Sequence, residues 1–248
     1  MQKPLYGMNL AQLEALAART GLPRFAARQI ARWLYVKHID CIEKMTDLPA
    51  AARASLAAEY AAGLTPPERV SVSTDGTKKY LFRTRGGHFV ESAYIPDGDR
   101  ATLCVSSQAG CRMGCRFCAT GRQGLRQSLP TNDILNQIGS LPEREKLTNL
   151  VFMGMGEPLD NADNVLGALE ILTAPWGFAW SPTRITLSTA GVAPELPRFL
   201  ETTKVHLAVS LHNPFPEERA AIMPVERAWP VAEVAAILRR YDFTHQRR

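Results

Sequence analysis

The sequence predicts an α/β protein: an incomplete barrel of parallel βα units that follows a small helical domain and a short antiparallel β meander. Three observations predict this class. Apolar residues recur at helical spacing early in the chain, turn dipeptides separate strand-like runs between residues 70 and 96, and strand-like and helical segments alternate after Arg100. We therefore expect a helical domain over 1–66, a β connector over 67–100 and an incomplete barrel over 101–248.

The N-terminal domain is predicted to hold two helices. In the first, the apolar residues at helical spacing are Leu10, Leu13, Leu16 and Ala17. The run Gly21-Leu22-Pro23 ends this helix, because glycine and proline both interrupt helices. The second helix is expected from about Arg24 to Lys37, with an inward apolar face formed by Phe25, Ile30, Trp33 and Leu34.

The second predicted helix also carries a row of positive charge. Arg24, Arg28 and Arg32 stand four residues apart and therefore share one face, with Lys37 close by. Such a row is commonly a solvated surface. It also has the charge that binding of a nucleic-acid backbone requires. The sequence leaves both interpretations open.

Between residues 70 and 96 the pattern is that of strands joined by tight turns. Asp75-Gly76 and Gly86-Gly87 are hairpin turn dipeptides on either side of the run Tyr80–Phe82, and Phe89-Val90 follows the second turn. Two such turns imply three antiparallel strands. Pro66-Pro67 marks the expected boundary with the helical domain.

Beyond Arg100, four apolar runs are predicted to be buried strands: Thr102–Ser106, Leu150–Met153, Arg184–Leu187 and Val205–Val209. The helical stretches expected between and after them are Thr131–Ser140, Asn164–Leu172 and Pro230–Tyr241. This alternation is typical of parallel βα units. In parallel α/β barrels the functional site lies at the C-terminal ends of the strands, so the motifs that follow these strands are expected to share one site.

Composition limits the classes of protein that the chain can represent. With 248 residues, 46% of them hydrophobic and 21% charged, it can bury a core, and disorder is not expected. No apolar run is long enough to span a membrane, and the first residues lack the apolar stretch of a signal peptide. A cytoplasmic protein without membrane contact is therefore expected. The formal charge of +5 suits a polyanionic partner.

Three of the five cysteines, Cys111, Cys115 and Cys118, are crowded into one short segment. Thiolates are the usual ligands of iron–sulfur clusters, and four of them complete a [4Fe–4S] cube. Three thiolates would leave one iron open to a small molecule. A structural zinc site with a distant fourth ligand is an alternative, although the sequence has no second pair at zinc-ligand spacing. Disulfides are not favoured in a reducing compartment.

The spacing Cys-x3-Cys-x2-Cys, with Phe117 before the last cysteine, resembles the signature of the radical S-adenosylmethionine (SAM) superfamily. Further segments narrow the resemblance to the RlmN branch of the RlmN/Cfr family: Ala101–Cys111, Phe152–Pro158, Leu187–Gly191 and Ser210–His212. The resemblance runs from Pro4 to the last residue. It implies a radical SAM barrel with a [4Fe–4S] cluster and SAM as cofactors. It also implies methylation of adenosine C2 in 23S rRNA, at the peptidyl-transferase centre, and in tRNA next to the anticodon, through a methyl-cysteine and a 5′-deoxyadenosyl radical.

The resemblance assigns cofactor-binding roles to several residues. It makes Cys111, Cys115 and Cys118 the cluster ligands, and it places Gly156 and Glu157 against the amino group of SAM. The residues expected at the adenosine and ribose of SAM are Ser188, Ser210, Leu211 and His212. Taken alone, the segment around Gly156 would be an ordinary tight βα turn, and a serine at a strand end is commonly a helix cap.

Cys104 receives a catalytic role from the resemblance. It is expected to resolve a covalent link between enzyme and RNA by forming a transient disulfide with a second cysteine. A lone strand cysteine is otherwise usually a small buried residue. Thiol attack requires a thiolate, so Cys104 is expected to be more reactive than Cys41, which is interpreted as structural.

Glu91 is expected, by the same resemblance, to accept a proton during catalysis. On a strand it shares a face with Phe89, Ala93 and Ile95, and burial among them would raise the pKa of its carboxyl. The alternative is an exposed strand carboxylate.

The sequence departs from the family pattern near its end. The methyl-carrying cysteine of the family lies in a Cys-Gly-Gln-Leu-like segment after the fourth barrel strand, whereas the last cysteine here is Cys118. A SAM-contacting Asn and the last strands are also missing, so four of six βα units and an open sheet edge are expected. We therefore expect an incomplete enzyme that binds a cluster and SAM but does not complete methylation.

Other functions remain open at this stage. Cfr-like methylation at C8 of the same rRNA adenosine uses the same motifs, although Pro4–Gly7 and Asp75–Thr77 favour the RlmN branch. A non-catalytic iron–sulfur or RNA-binding remnant and an α/β domain with a zinc-stabilised loop are the remaining alternatives. The partners that the resemblance implies are 23S rRNA, tRNA and an electron donor such as flavodoxin or ferredoxin.

Overall fold

The computed structural model describes residues 2–244 and residue 246. Within these residues the α-helices are α1 (Leu10–Arg19), α2 (Ala26–Tyr35), α3 (Ala50–Glu59), α4 (Ala119–Arg122), α5 (Thr131–Gly139), α6 (Ala162–Thr173), α7 (Leu196–Thr202), α8 (Pro216–Ile222) and α9 (Val231–Leu238). The strands are β1 (Lys3–Pro4), β2 (Tyr60–Ala61), β3 (Arg69–Val72), β4 (Lys78–Arg83), β5 (Phe89–Asp97), β6 (Arg100–Cys104), β7 (Gln108–Ala109), β8 (Gln127–Ser128), β9 (Asn149–Phe152), β10 (Ile185–Thr189) and β11 (His206–Val209).

Seven strands form the main sheet, in the order β11-β10-β9-β6-β5-β4-β3. The first four of these are parallel, and α5, α6 and α7 lie in the connections between them. The α/β class and the parallel strands predicted from the sequence are therefore confirmed. In the described part of the chain β11 and β3 are the edges of this sheet, which is open rather than closed.

The β meander forms as predicted but does more than connect two domains. Asp75-Gly76 and Gly86-Gly87 lie in the two turns of the antiparallel strands β3, β4 and β5. β5 also pairs with β6, from Ala93 opposite Cys104 to Asp97 opposite Arg100. The segment expected to be a connector therefore contributes three strands to the main sheet.

The two faces of the parallel strands differ in how well they are covered. Leu103, Leu150 and Leu187 are fully buried in the core that these strands share with α5 and α6. Side chains alternate along a strand, so the residues between them point to the opposite face. Cys104 and Val151 lie side by side on that face, and both are only half-buried. This open face leads to the C-terminal ends of the strands.

The N-terminal helices pack directly against the core. Asn9 and Gln12 form a capping box at the start of α1. The rings of Tyr6 and Tyr35 contact Phe178, which follows α6, with centroids 6.4 and 6.0 Å away. One continuous apolar cluster therefore joins these helices to the core beneath the parallel strands.

One predicted core residue of α2 is placed differently. Ile30 and Leu34 are buried as expected, whereas Phe25 is 65% exposed. The prediction for Phe25 was wrong because α2 begins at Ala26 and Phe25 lies at its N-cap position, outside the amphipathic repeat. Among the described residues, no helix has the length and apolar character needed to cross a membrane.

Candidate functional site

A cleft of about 380 Å³ opens at the C-terminal ends of β9, β10 and β11. Its lining includes three groups of residues predicted from the sequence: Cys111, Cys115 and Cys118; Gly156 and Glu157; and Ser188, Ser210 and His212. These groups come from segments that are far apart in the chain. The parallel sheet brings them together because its strands all end at the same edge. Of the predicted cofactor-binding residues, Leu211 alone does not line the cleft, and its side chain is 45% exposed.

The three cysteines lie on a loop that is fixed by backbone hydrogen bonds, one within the loop and one to the end of α8. Within the loop, the Cys118 N–H donates to the carbonyl of Cys115 at 3.1 Å, and the Arg116 N–H donates to the carbonyl of Ile222 at 2.9 Å. Cys111 is buried, whereas Cys115 and Cys118 are half-buried, and all three are free thiols. The loop therefore presents three unbonded thiols to one cleft.

The arrangement of these thiols bears on which metal group they fit. Among the residues that the structure describes, no three His, Cys, Asp or Glu side chains lie close enough to hold a single metal ion. In a [4Fe–4S] cube each thiolate binds a different iron, so the three thiols of such a site do not have to converge on one ion.

Burial favours the neutral thiols of Cys111 and Cys115. It raises the pKa of Cys111 to about 11, and it also raises the pKa of Cys115. Metal binding therefore has to displace protons from these thiols.

The turn Gly154–Pro158 after β9 is shaped by its glycines. A Cβ on Gly154 would lie 2.7 Å from the Ser106 hydroxyl, and a Cβ on Gly156 would lie 2.5 Å from the Cβ of Gln108. Gly156 also has a φ of +96°, which favours glycine. These glycines let the turn approach the segment after β6 closely. The sequence interpretation had them approach a ligand, and the structure shows a contact within the protein.

Glu157 is almost completely buried and hydrogen-bonded to the protein. One carboxylate oxygen accepts from the Leu159 N–H at 3.1 Å and from the Thr189 hydroxyl at 2.6 Å. The other accepts from the Ala190 N–H at 2.7 Å. Burial raises the pKa of this carboxyl to about 7 against the opposing effect of these hydrogen bonds. Glu157 thus ties β9 to β10 within the wall of the cleft.

His212 and Phe117 form the aromatic part of the cleft wall. Their ring centroids are 4.5 Å apart, and His212 adopts a left-handed backbone with a φ of +55°. Ser188 lies on β10, and the Ser210 N–H donates to the carbonyl of Thr189 at 2.8 Å, which continues the pairing of β10 with β11. The cleft therefore offers hydroxyls beside an aromatic surface.

Cys104 lies outside the cleft lining but close to it. It is the last residue of β6, half-buried on the open face of the sheet. Burial raises its pKa, opposed by a hydrogen bond from the backbone of Met153, which does line the cleft. Burial raises the pKa of Cys41 as well. The thiolate character expected to distinguish Cys104 from Cys41 is thus not evident in the metal-free protein.

Glu91 is less buried than its predicted role requires. Its side chain is 46% exposed and its carboxylate lies 3.1 Å from the Lys79 amine. Phe89 and Ile95, on the same face, are 48% and 42% exposed. The expected burial was wrong because this face of β5 is uncovered in the described chain. The catalytic role of Glu91 stays a prediction.

Several polar residues that organise the site carry no signal in the sequence. Gln108 is fully buried, accepts from the Glu157 N–H at 3.0 Å and donates to Asp160 at 2.8 Å. Asp160 also pairs with Arg112 of the cysteine loop at 2.9 Å. Arg219 is fully buried between loops. Glutamine and arginine are usually exposed, so periodicity would not have selected either one.

The chain is similar to known proteins in its family matches, its sequence and its structure. A family model described as the Radical SAM superfamily matches residues 105–246, and one described as the Ribosomal RNA large subunit methyltransferase N-terminal domain matches residues 3–61. A protein of Parabacteroides distasonis named "Probable dual-specificity RNA methyltransferase RlmN" is 56% identical over the whole chain, which spans 72% of that protein.

Two further relatives agree with this match. "Dual-specificity RNA methyltransferase RlmN" of Geotalea uraniireducens is 45% identical over 96% of the chain, which covers 70% of that protein. The crystal structure of a radical SAM methyltransferase from Sphaerobacter thermophilus superposes with a TM-score of 0.88 at 40% identity, covering 96% of this chain and 72% of the other.

Proposed function

The chain belongs to the RlmN family of radical SAM RNA methyltransferases, and from that premise we propose that it binds a [4Fe–4S] cluster and SAM in the cleft described above. The observation that carries the proposal is the convergence of three free cysteines with the ends of β9, β10 and β11 on one cleft. In the proposal Cys111, Cys115 and Cys118 are the cluster ligands. When bound, the cluster supplies the electron that cleaves SAM, and SAM supplies the methyl group.

The residues of the cleft wall would hold SAM beside these thiols. Gly156 and Glu157 lie on the β9 side, where we place the amino group of SAM. Ser188, Ser210 and His212 line the cleft at the ends of β10 and β11, where we place the ribose and adenine, and Leu211 lies beside them outside the lining. Both carboxylate oxygens of Glu157 already accept hydrogen bonds, so we assign it to shaping this wall while the adjacent backbone contacts SAM.

The proposed reaction is methylation of C2 of adenosine in 23S rRNA and in tRNA, with the electron supplied by a donor such as flavodoxin or ferredoxin in the cytoplasm. Its support is the RNA specificity in the names of the relatives. We propose Cys104 as the resolving thiol and Glu91 as the proton acceptor. Both lie on the open face of the sheet that leads to the cleft.

The cluster assignment is tested by replacing Cys111, Cys115 and Cys118 singly with Ala. Anaerobic reconstitution of the wild type should give about four irons per chain, and each variant should lose the cluster absorbance. Cys41→Ala is the matched control, because Cys41 precedes the 3₁₀ turn Ile42–Lys44, in the N-terminal region and outside the cleft, and should leave iron content unchanged. Full clusters in all three variants would contradict the assignment.

The reaction is tested by mass spectrometry of nucleosides from RNA incubated with SAM, a reductant and a reconstituted form of the protein that includes a methyl-carrying cysteine, because the last cysteine of the present sequence is Cys118. 2-Methyladenosine supports the proposal, and 8-methyladenosine would support Cfr-like chemistry instead. Failure to cleave SAM despite a full cluster would favour a non-catalytic remnant. In the form that includes a methyl-carrying cysteine, Glu91→Gln should retain SAM binding and accumulate protein–RNA adducts, and normal turnover would exclude its role as proton acceptor.

Arg28 and Arg32 of α2, together with Arg24 just before the helix, are the proposed contact with the RNA backbone. Arg24, Arg28 and Arg32 are all exposed, and Arg24 pairs with Glu14 at 3.2 Å. Replacing all three with Glu should weaken RNA binding and reduce the slope of log K against log salt by about 2 to 3, as expected for the loss of three phosphate contacts. A matched triple Gln variant separates loss of charge from repulsion. An unchanged slope would identify the row as a solvated surface.

A further inference from the structure

Arg219 is a charged side chain with no access to solvent. It lies on α8, in the sequence Pro216-Glu-Glu-Arg-Ala-Ala-Ile222, and is fully buried. Glu226, also buried, accepts a hydrogen bond from one of its terminal nitrogens. A buried ion pair is often no more stabilising than apolar side chains of the same size, so stability alone is a weak explanation for it.

Three of the remaining donors of the guanidinium reach backbone carbonyls. Its Nε–H donates to Leu211 at 3.1 Å, and its second terminal nitrogen donates to Ala190 at 2.9 Å and to Ser210 at 3.0 Å. Ala190 immediately follows β10, and Ser210 and Leu211 immediately follow β11. Carbonyls at these strand ends have passed beyond the sheet ladder and need other donors. Arg219 therefore joins the ends of two neighbouring strands.

These two strand ends form part of the cleft wall. Ala190 and Ser210 both line the cleft, whereas Arg219 does not. The Ala190 N–H is held by Glu157 at 2.7 Å while its carbonyl is held by Arg219. The backbone on both sides of Ala190 is thus fixed by hydrogen bonds to two buried side chains.

The segment that carries Arg219 also touches the cysteine loop. The carbonyl of Ile222 accepts from the Arg116 N–H, and Met223 and Val225 pack in one apolar cluster with Cys111. One short segment therefore contacts both the loop that presents the thiols and the strand ends opposite. Its position sets the distance across the cleft.

We propose that Arg219 is a positioning residue for SAM, which holds the ends of β10 and β11 at the spacing that the adenosine part of SAM needs, with Glu226 as its counter-charge. The inference rests on the proposed function, because it takes this cleft to be the SAM site. Arg219 itself touches no cofactor. Its effect passes through the backbone of Ala190, Ser210 and Leu211.

The test uses variants that differ in what they leave buried. Arg219→Met with Glu226→Gln removes the charge pair without leaving an unpaired buried charge. Arg219→Lys keeps the charge but lacks the planar fork needed to reach three carbonyls. The affinity for SAM is measured by equilibrium dialysis on the anaerobically reconstituted protein, with iron content and urea midpoint measured on the same samples. We expect at least tenfold weaker SAM binding in both variants at wild-type iron content.

A control separates positioning from general loss of stability. Phe199→Leu changes a fully buried side chain of α7 that does not line the cleft, and it should lower the urea midpoint while SAM affinity stays at the wild-type value. If the double variant does not fold, the SAM affinity and urea midpoint of Arg219→Lys alone are compared with those of Phe199→Leu.

The outcomes distinguish this inference from the proposed function. Wild-type SAM affinity in the Arg219 variants would overturn the positioning role, and so would an equal loss of affinity in Phe199→Leu. A wild-type protein that holds iron but does not bind SAM would overturn the proposed function and this inference with it.

Discussion

Replacing Gly110 with Ala should disrupt the cysteine loop far more than the same change at Gly124. Both glycines have left-handed backbones, with φ of +76° and +67°, so Ala at either position costs about 1–2 kcal/mol in conformational strain. A Cβ on Gly110 would also lie 1.8 Å from the carbonyl oxygen of Gly124, whereas a Cβ on Gly124 meets nothing within 4 Å. The pair therefore isolates the effect of the clash.

The size of the clash effect follows from what holds the two segments together. β7 and β8 pair through Gln108 with Ser128 and Ala109 with Gln127, and the Arg126 N–H donates to the carbonyl of Ala109 at 2.8 Å. Moving Gly110 away from Gly124 breaks two or three of these hydrogen bonds, at about 1 kcal/mol each. We expect Gly110→Ala to lose about 3–5 kcal/mol of unfolding free energy and Gly124→Ala about 1–2 kcal/mol.

Urea unfolding of the reduced, metal-free protein gives both free energies, and the m-value shows whether the unfolding transition is comparable. Reconstitution gives a second readout. Gly110→Ala should lose iron because Gly110 directly precedes Cys111, and Gly124→Ala should keep it. Equal destabilisation of the two variants, with equal iron content, would refute the close approach of Gly110 to Gly124.

The remaining predictions concern burial of polar groups. Burial lowers the pKa of His38 to about 4, so its contribution to stability is present above pH 6.5 and is lost as the pH falls from 6.5 to 4. With allowance for partial exposure this is worth about 2 kcal/mol, and His38→Asn should flatten the urea midpoint over that range. Among the residues that the structure describes, the buried Tyr6 hydroxyl has no hydrogen-bond partner, so Tyr6→Phe should not destabilise. Tyr35→Phe removes a 2.6 Å bond to the Met8 carbonyl and should cost about 1–2 kcal/mol by urea unfolding. Both carboxylate oxygens of Glu157 accept hydrogen bonds, so Glu157→Gln replaces one acceptor with an amide donor that faces another donor. This change should cost about 1–3 kcal/mol in the same assay. An unchanged urea midpoint would contradict these hydrogen bonds.

The features predicted well from the sequence depend on residues that are close together in the chain. The strand β9 was expected over Leu150–Met153 and runs over Asn149–Phe152. It could be predicted because a short apolar run between polar segments is typical of a buried strand. The turn at Asp75-Gly76 depends on local backbone preference and formed as expected. The site could be predicted because each motif follows a strand, and parallel strands end at a common edge.

The features that the sequence did not predict depend on partners distant in the chain. Alternation placed Glu91 on a strand face with apolar residues, and the family resemblance favoured its burial there, but only packing against other segments decides whether a strand face is covered. Likewise β5 joins the main sheet through β6, a pairing that turn dipeptides do not specify.

The amino-acid order alone therefore determined the fold class, the three cysteines and the edge of the sheet at which they lie. Tertiary structure decided which polar groups are buried there. Arg219 shows why: in a short helix beside two glutamates, it has the pattern of a solvated residue. It is buried because three carbonyls and a carboxylate from separate segments converge on its donors. A buried charge needs hydrogen-bond partners, and here they come from segments that only the folded chain brings together. The local periodicity of the sequence therefore cannot predict its burial.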